Sequence, residues 1–390
     1  MNKTIQNSFD KLKSAFESIP KEERFKGYDP FDGLNSPLIK NTFLGRNKWV
    51  RLAWLQFFKR STINARPLVG IKKEENPQAL AIFLLSYCKL YSFEKKGEYL
   101  IDINYLADRI IALQQTKWSG ACWSYPFPWQ ARAFYQPANT PLIIPTAYCF
   151  NALLDAYELT GNSEYKETAL SSSQFVINDL NRTYDGELFA FSYSPLDTSV
   201  VYNASLMASQ MLARSYSLTK SETLKNAAEL SVKFCINRQQ ENGSWTYGAQ
   251  PFHQWIDNFH TGYNLYCLVD YANLCNDQKF YKQIENGLNY YLGTFFNEDG
   301  FSKYYNNQKF PLDINNAAQL IITLDKTGKL NENQYLIESV MSFAIENMQS
   351  KNGWFYYQKH KNFTNKIIYL RWSNSWMFYA FSLLTTYAKS

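Results

Sequence analysis

The chain has 390 residues, 46% hydrophobic, 17% aromatic and only 19% charged, long enough for one large domain with a sizeable core. With 29 tyrosines and 28 phenylalanines against 16 glycines and 13 prolines, it is not collagen-like, low-complexity or disordered. The net charge of +6 is mild and the cations are scattered, so nothing marks a nucleic-acid partner, and no run of about 18 apolar residues marks a membrane span.

In residues 1–19, Ile5, Phe9, Leu12, Phe16 and Ile19 recur at helical spacing. This predicts an amphipathic helix packed on the domain, and the apolar core of a secretory signal is missing. After an irregular stretch over 27–47, periodicity predicts helices at 48–63, 77–92, 98–116, 142–160 and 163–182. Further helices follow at 202–219, 221–240, 259–275, 277–296, 314–328, 331–349 and 373–388. Cys88, Cys122, Cys149, Cys235, Cys267 and Cys275 form no CxxC pair and fall mostly in apolar helical stretches. Reduced core thiols in a cytoplasmic protein are the expectation.

The connections alternate between tight turns, such as Thr160-Gly-Asn-Ser163, and long aromatic loops at 117–141, 183–201, 241–258, 297–313 and 350–372. Each long loop carries a glycine near its start, at Gly120, Gly186, Gly243, Gly300 and Gly353, and the spacings are 66, 57, 57 and 53 residues. One helical hairpin plus one long loop is therefore the repeating unit. The helices that follow the long loops are apolar on most faces, as in Ala79–Leu85, whereas those that precede them are amphipathic. Buried and surface helices in alternation predict an all-α (α/α)6 toroid over 48–390, with 1–47 as an N-terminal extension packed on it. Parallel inner helices gather the long loops at one mouth, beside the inner helices' N-termini. An open helical solenoid is the competing architecture.

The mouth collects the candidate site. Its first loop brings Trp123, Tyr125, Trp129 and Arg132, and its second brings Tyr193 and Asp197, with Asn203 opening the next helix. The third brings Trp245, Tyr247, His253, Trp255 and Asp257, followed by His260. The fourth brings Tyr304, Tyr305 and Asp313, then Asn316; the last brings Tyr356, Arg371 and Trp372. Aromatic faces stack on the C–H faces of pyranose rings, while carboxylates, amides and guanidinium groups bond the hydroxyls. An oligosaccharide or glycan precursor is the expected partner, with no nucleic acid and no stable membrane insertion.

The segment His253-Gln-Trp-Ile-Asp-Asn-Phe-His260 is the densest chemistry. Asp257 can cap the following helix, and His260, on its first turn, is kept neutral by the helix dipole and able to act as a base. Three metal ligands could come only from His253, Asp257 and His260, and no metal or cofactor is expected. Glycoside hydrolysis needs two carboxylates, about 5–5.5 Å apart for retention or about 6.5–9.5 Å for inversion. Asp257 is the first candidate, with Asp197 or Asp313 as its partner. A uronate lyase or C5-epimerase would instead use His260 or a tyrosine as base, with Arg132 or Arg371 neutralising the substrate carboxylate.

The runs Gln239-Gln-Glu-Asn-Gly-Ser-Trp245 and Gln349-Ser-Lys-Asn-Gly-Trp354 resemble the Q-x-x-D/N-G-x-W turns of α/α-toroid proteins, among them terpene cyclases and six-hairpin glycosidases. No acidic D-x-D-D motif supports terpene cyclisation; Asp313-Ile-Asn-Asn316 does not replace it. No Asp/Cys/His zinc set supports a prenyltransferase. Over most of its length the chain resembles a family encoded among bacterial surface-polysaccharide biosynthesis genes. The match rests on Tyr125-Pro-Phe-Pro-Trp-Gln-Ala-Arg132, Phe191–Asp197, Pro251–Gly262 and Ile368-Tyr-Leu-Arg-Trp372. Some members are labelled delta-aminolevulinic acid dehydratase, which resembles a TIM barrel with paired catalytic lysines; neither feature is present here. The resemblance implies a carbohydrate context and assigns no catalytic residue. Hydrolysis of a glycosidic bond is the leading expectation, with a lyase or epimerase second and a non-catalytic glycan-binding or scaffold protein third.

Overall fold

A computed structural model describes residues 2–40, 42–130 and 135–387. Its longer helices are α1 (Lys3–Glu17), α2 (Lys48–Arg60), α3 (Pro77–Glu94), α4 (Gly97–Ala112), α5 (Ile143–Thr160) and α6 (Ser163–Asn178). They continue with α7 (Tyr202–Thr219), α8 (Glu222–Ile236), α9 (Asn258–Cys275), α10 (Tyr281–Phe295), α11 (Ile314–Lys326), α12 (Gln334–Met348) and α13 (Ser375–Tyr387). Side-chain caps start several of them: Asn76 accepts from the Gln78 amide at α3, where Pro77 occupies the first turn, and Asp257 and Asp313 do the same at α9 and α11.

The ring closes. Each of α3, α5, α7, α9, α11 and α13 packs on the next, and α13 packs back on α3. These six are buried over most of their turns, as an apolar surface on every side requires. The amphipathic α4, α6, α8, α10 and α12 lie outside them and bury one stripe each. The architecture is an (α/α)6 toroid.

One helix differs in role from its expected place. The sixth outer position belongs to α1, which packs on α12 and α13 through Phe9 against Phe378 and Phe381. The 48–63 prediction corresponds to α2, which lies across the mouth instead, walling a cavity there. The repeated glycines explain how the ring is spaced. A β-carbon on Gly120, Gly243 or Gly300 would collide with the carbonyl oxygen of Ser171, Asn286 or Ser339 on the next outer helix. Gly353 makes the same approach to Lys11 of α1, so the chain's first helix completes a pattern that its last long loop leaves open. Gly186 breaks the pattern: its loop folds as a hairpin of β1 (Arg182–Asp185) and β2 (Leu188–Phe191), with Arg182 opposite Phe191.

The outer helices α4 and α8 stop short of their predicted ends for a related reason. The Trp123 indole donates to the Ile110 carbonyl (2.7 Å) and that of Trp245 to the Cys235 carbonyl (3.0 Å), occupying acceptors that another helical turn would use. The six cysteines are buried free thiols. Among the described residues, no helix is long and apolar enough to cross a membrane.

Candidate active site at the mouth of the toroid

A cavity of about 1000 Å³ lies between α2 and three of the long loops, 117–141, 183–201 and 241–258; Asp257 and His260 stand just behind its lining, where the His260 ring meets that of Tyr247. Five residues singled out from sequence line it: Trp129, Tyr193, Tyr247, His253 and Trp255. The opposite wall is α2, which contributes Trp49, Leu52, Gln56 and three cations, Lys48, Lys59 and Arg60. No Asp or Glu lines the cavity among the described residues.

Tyr247 organises one side. Trp255 stacks on it at 4.6 Å and 14°, His253 meets it edge-on at 5.0 Å, and the His260 ring lies 4.6 Å away. Burial lowers the pKa of His253, favouring the neutral ring, and its Nδ1 sits 3.1 Å from the Gln250 amide. Asp257 is almost fully buried. Its Oδ1 accepts the His260 backbone N–H (3.0 Å), and its Oδ2 accepts from Trp255 Nε1 (3.0 Å) and meets His260 Nδ1 at 2.7 Å. A carboxylate can only accept, so the neutral ring carries its proton on Nδ1 and leaves a lone pair on Nε2. His260 keeps 22% of its side chain exposed. The arrangement is that of a histidine oriented by a buried carboxylate to take up or deliver a proton.

Asp313 is the second buried carboxylate. It caps α11 through the Asn315 N–H (3.0 Å) and accepts from Gln358 Nε2 (2.8 Å) and Trp372 Nε1 (3.0 Å). Burial pushes its pKa up to about 6 against the pull of those donors and of Lys59. Lys59 itself lies over the Phe31 ring at 5.0 Å, and burial lowers its pKa despite the attraction of Asp313. Tyr304 and Tyr305, half-buried, meet at 4.5 Å with their rings tilted by 57°, and Tyr304 reaches Phe259 at 5.4 Å.

Several predicted contacts are elsewhere. Trp123 and Trp245, read as sugar platforms, are 0% and 2% exposed and spend their N–H groups on helix carbonyls, so they pin loops rather than meet a ligand. Asp197 is buried between Ser194 (2.7 Å) and Ser199 (2.6 Å), bonds that hold its loop turn together. Arg371 forms a buried pair with Asp29, adds Gln78 at 3.2 Å, and lies over the Tyr125 ring at 4.8 Å. Asn316 ties α11 to the Lys303 carbonyl (3.1 Å), Asn203 is buried with its Oδ1 unbonded, and Tyr356 packs beside Lys366. Arg132 lies outside the described residues. Sequence reasoning missed Trp49, Gln56 and Lys59, which sit on a helix assigned to the outer ring, and Asp29, which sits in the irregular stretch. No three His, Cys, Asp or Glu side chains among the described residues come together as a metal site.

No protein-family model and no characterised protein sequence matches the chain. Its fold is matched by solved structures. The cellobiose 2-epimerase of Bacillus thermoamylovorans superposes with a TM-score of 0.69 at 12% identity over 100% of both chains. An unsaturated glucuronyl hydrolase specific for heparin gives 0.66 at 11% identity, over 99% of this chain and 96% of that one. A GH76 α-mannanase of Bacteroides thetaiotaomicron gives 0.63 at 14% identity, over 80% and 87%. At these identities the likeness is one of fold.

Proposed function

We propose that the chain is a carbohydrate-active enzyme that moves a proton at a ring carbon of an acidic sugar, as a uronate C5-epimerase or lyase, with His260 as the base. The observation that carries this reading is the 2.7 Å contact between Asp257 and His260 Nδ1, which reserves Nε2 for the proton. The lining supports an anionic substrate, because Lys48, Lys59 and Arg60 face the cavity and, among the described residues, no acid does. Abstraction of H5 leaves an enolate on the substrate carboxylate, which a cation such as Lys59 neutralises. Return of a proton from the other face inverts C5, whereas expulsion of the 4-oxygen yields an unsaturated sugar. Trp129, Tyr193 and Trp255 offer the aromatic surfaces for the ring faces. The fold neighbours include proteins named for epimerisation and for glucuronyl hydrolysis, and the family resemblance favours a surface polysaccharide or its lipid-linked precursor.

Hydrolysis is the second reading, favoured by one observation: a carboxyl whose pKa is about 6 can hold a proton close to neutrality, as a general acid must. Against it, the side chains of Asp257, Asp313 and Asp197 are buried and their oxygens are already bonded. The two readings separate in heavy water. With a panel of polyuronates and neutral oligosaccharides, epimerisation brings deuterium into C5 of a uronate, elimination leaves a conjugated 4,5-double bond that absorbs in the ultraviolet, and His260→Gln lowers either rate by about 10²–10⁴-fold. Release of reducing ends with neither deuterium at carbon nor a 4,5-double bond, undiminished in His260→Gln and abolished in Asp313→Asn, would replace this reading with hydrolysis.

A further inference from the structure

Although the chain's 40 lysines and arginines are scattered overall, one stretch holds cations with no acid among them. From Gly33 to Lys73 there are nine lysines and arginines and no acid. Arg66 is buried against Asp32, but Lys40, Arg46, Lys48, Arg60, Lys72 and Lys73 are exposed. The same segment carries large apolar side chains in the open: Leu68 is 85% exposed, Phe43 79%, and Trp49 and Ile63 73% each. Leu38 and Phe57 are also exposed. Beneath them lies a small core of Leu34, Ile39 and Leu55, flanked by Val50 and Trp54. Ser36 bonded to the Val69 carbonyl (2.8 Å) and Arg51 bonded to the Gly45 carbonyl (2.8 Å) gather the segment into one cap. Through α2 that cap is also the wall of the cavity.

We infer that residues 37–73 dock this protein onto a bilayer surface bearing anionic headgroups. Exposed Trp, Phe, Leu and Ile amid lysine and arginine are what an interfacial segment needs: apolar side chains enter the acyl boundary while cations stay among the phosphates. Charge decides against a second copy of the chain, because two such caps repel. The aliphatic share of the cap favours a bilayer over nucleic acid: Phe43, Trp49 and Phe57 could stack on a base, but Leu38, Ile63 and Leu68 offer it no face. Docked in this way, the mouth opens at headgroup depth, where a glycan tethered to a lipid presents its sugars. The inference is independent of the reaction catalysed inside the cavity.

Sedimentation of the full chain with vesicles tests it. Vesicles of phosphatidylcholine and phosphatidylglycerol should capture the protein, pure phosphatidylcholine should capture far less, and high salt should release most of it. The double reversal Lys40→Glu/Arg46→Glu, at two residues that do not line the cavity, should weaken capture by about tenfold or more, since each cation contributes a factor of about five. Phe43→Ser/Leu68→Ser should lower the fraction that survives high salt. Circular dichroism and thermal unfolding verify that each variant folds. Wild-type protein that ignores anionic vesicles at low salt, or binds single-stranded RNA in preference to them, overturns the inference, as does capture that neither double variant reduces.

Discussion

The two ends of the toroid are built from the same six inner helices and treat charge in opposite ways. At the far end, where the helices terminate, a cavity of about 340 Å³ is ringed by Lys89, Arg214 and Lys326 and by Asp155, Glu158 and Asp270. There the charges pair: Arg214 reaches Asp155 at 2.6 Å and Glu158 at 3.0 Å, and Lys326 reaches Asp270 at 3.1 Å. Gln210 bridges Asn151 and Asp270, and the Tyr148 and Tyr266 hydroxyls meet at 2.9 Å. Cations at converging helix C-termini also offset the negative ends of the dipoles. At the mouth, the cavity is three times larger and its cations have no carboxylate among the lining residues. A charge balanced within the chain stabilises the fold; cations gathered on a wall that no described acid lines favour an anionic ligand.

That contrast breaks first at the far end. Arg214→Met leaves Asp155 without its partner in a largely buried ring and should cost about 3–5 kcal/mol. Urea denaturation measures the loss, and the activity per folded molecule should stay at the wild-type level. A stable variant that has lost activity would mean that the far cavity, too, serves the reaction.

The alternation of tight and long connections, and of all-apolar and amphipathic helices, made the ring legible, because both follow from local periodicity. The segment from His253 to His260 was legible because its residues are neighbours in sequence and sit at a helix start. Trp123 and Trp245 were misread because a glycine followed by tryptophan serves two ends at once. The glycine lets backbone approach backbone, and the indole N–H that would suit a sugar hydroxyl suits a helix carbonyl equally well. The place of α1 was hidden for a different reason: nothing in its own sequence says that the last loop, more than 300 residues away, lacks an outer helix. Asp29 and Arg371 lie 342 residues apart, and only closure of the ring brings them together. Lys59 had no local mark either, being one cation on a helix whose role depends on where the cap folds.

A second break concerns the buried carboxyl at the mouth. Asp313 holds its proton up to about pH 6 in the folded chain, whereas the unfolded carboxyl releases it near its ordinary value of 3.8. The folded state therefore binds more protons between those two values, and stability from this group is full below the lower one and lost as the pH rises through 6. The loss amounts to roughly 2–3 kcal/mol. Unfolding free energies measured from pH 4 to pH 7 should show that slope, and Asp313→Asn should flatten it. An unchanged slope in Asp313→Asn would assign the effect to Asp32, whose carboxyl burial also raises to about 6.

The finest test sharpens the reading of the mouth cations. If Lys59 is held for an anionic group, Lys59→Met should raise KM for a uronate substrate by roughly tenfold, the size of one lost charge-assisted hydrogen bond, with KM for a neutral analogue unmoved. Its lowered pKa adds a signature: affinity for the acidic substrate should fall as the pH rises and the ammonium gives up its proton, and that fall should be missing from Lys59→Met. Equal changes in KM for acidic and neutral substrates would instead mean that Lys59 supports α2 through Phe31, and that the selectivity of the mouth resides in Lys48 and Arg60.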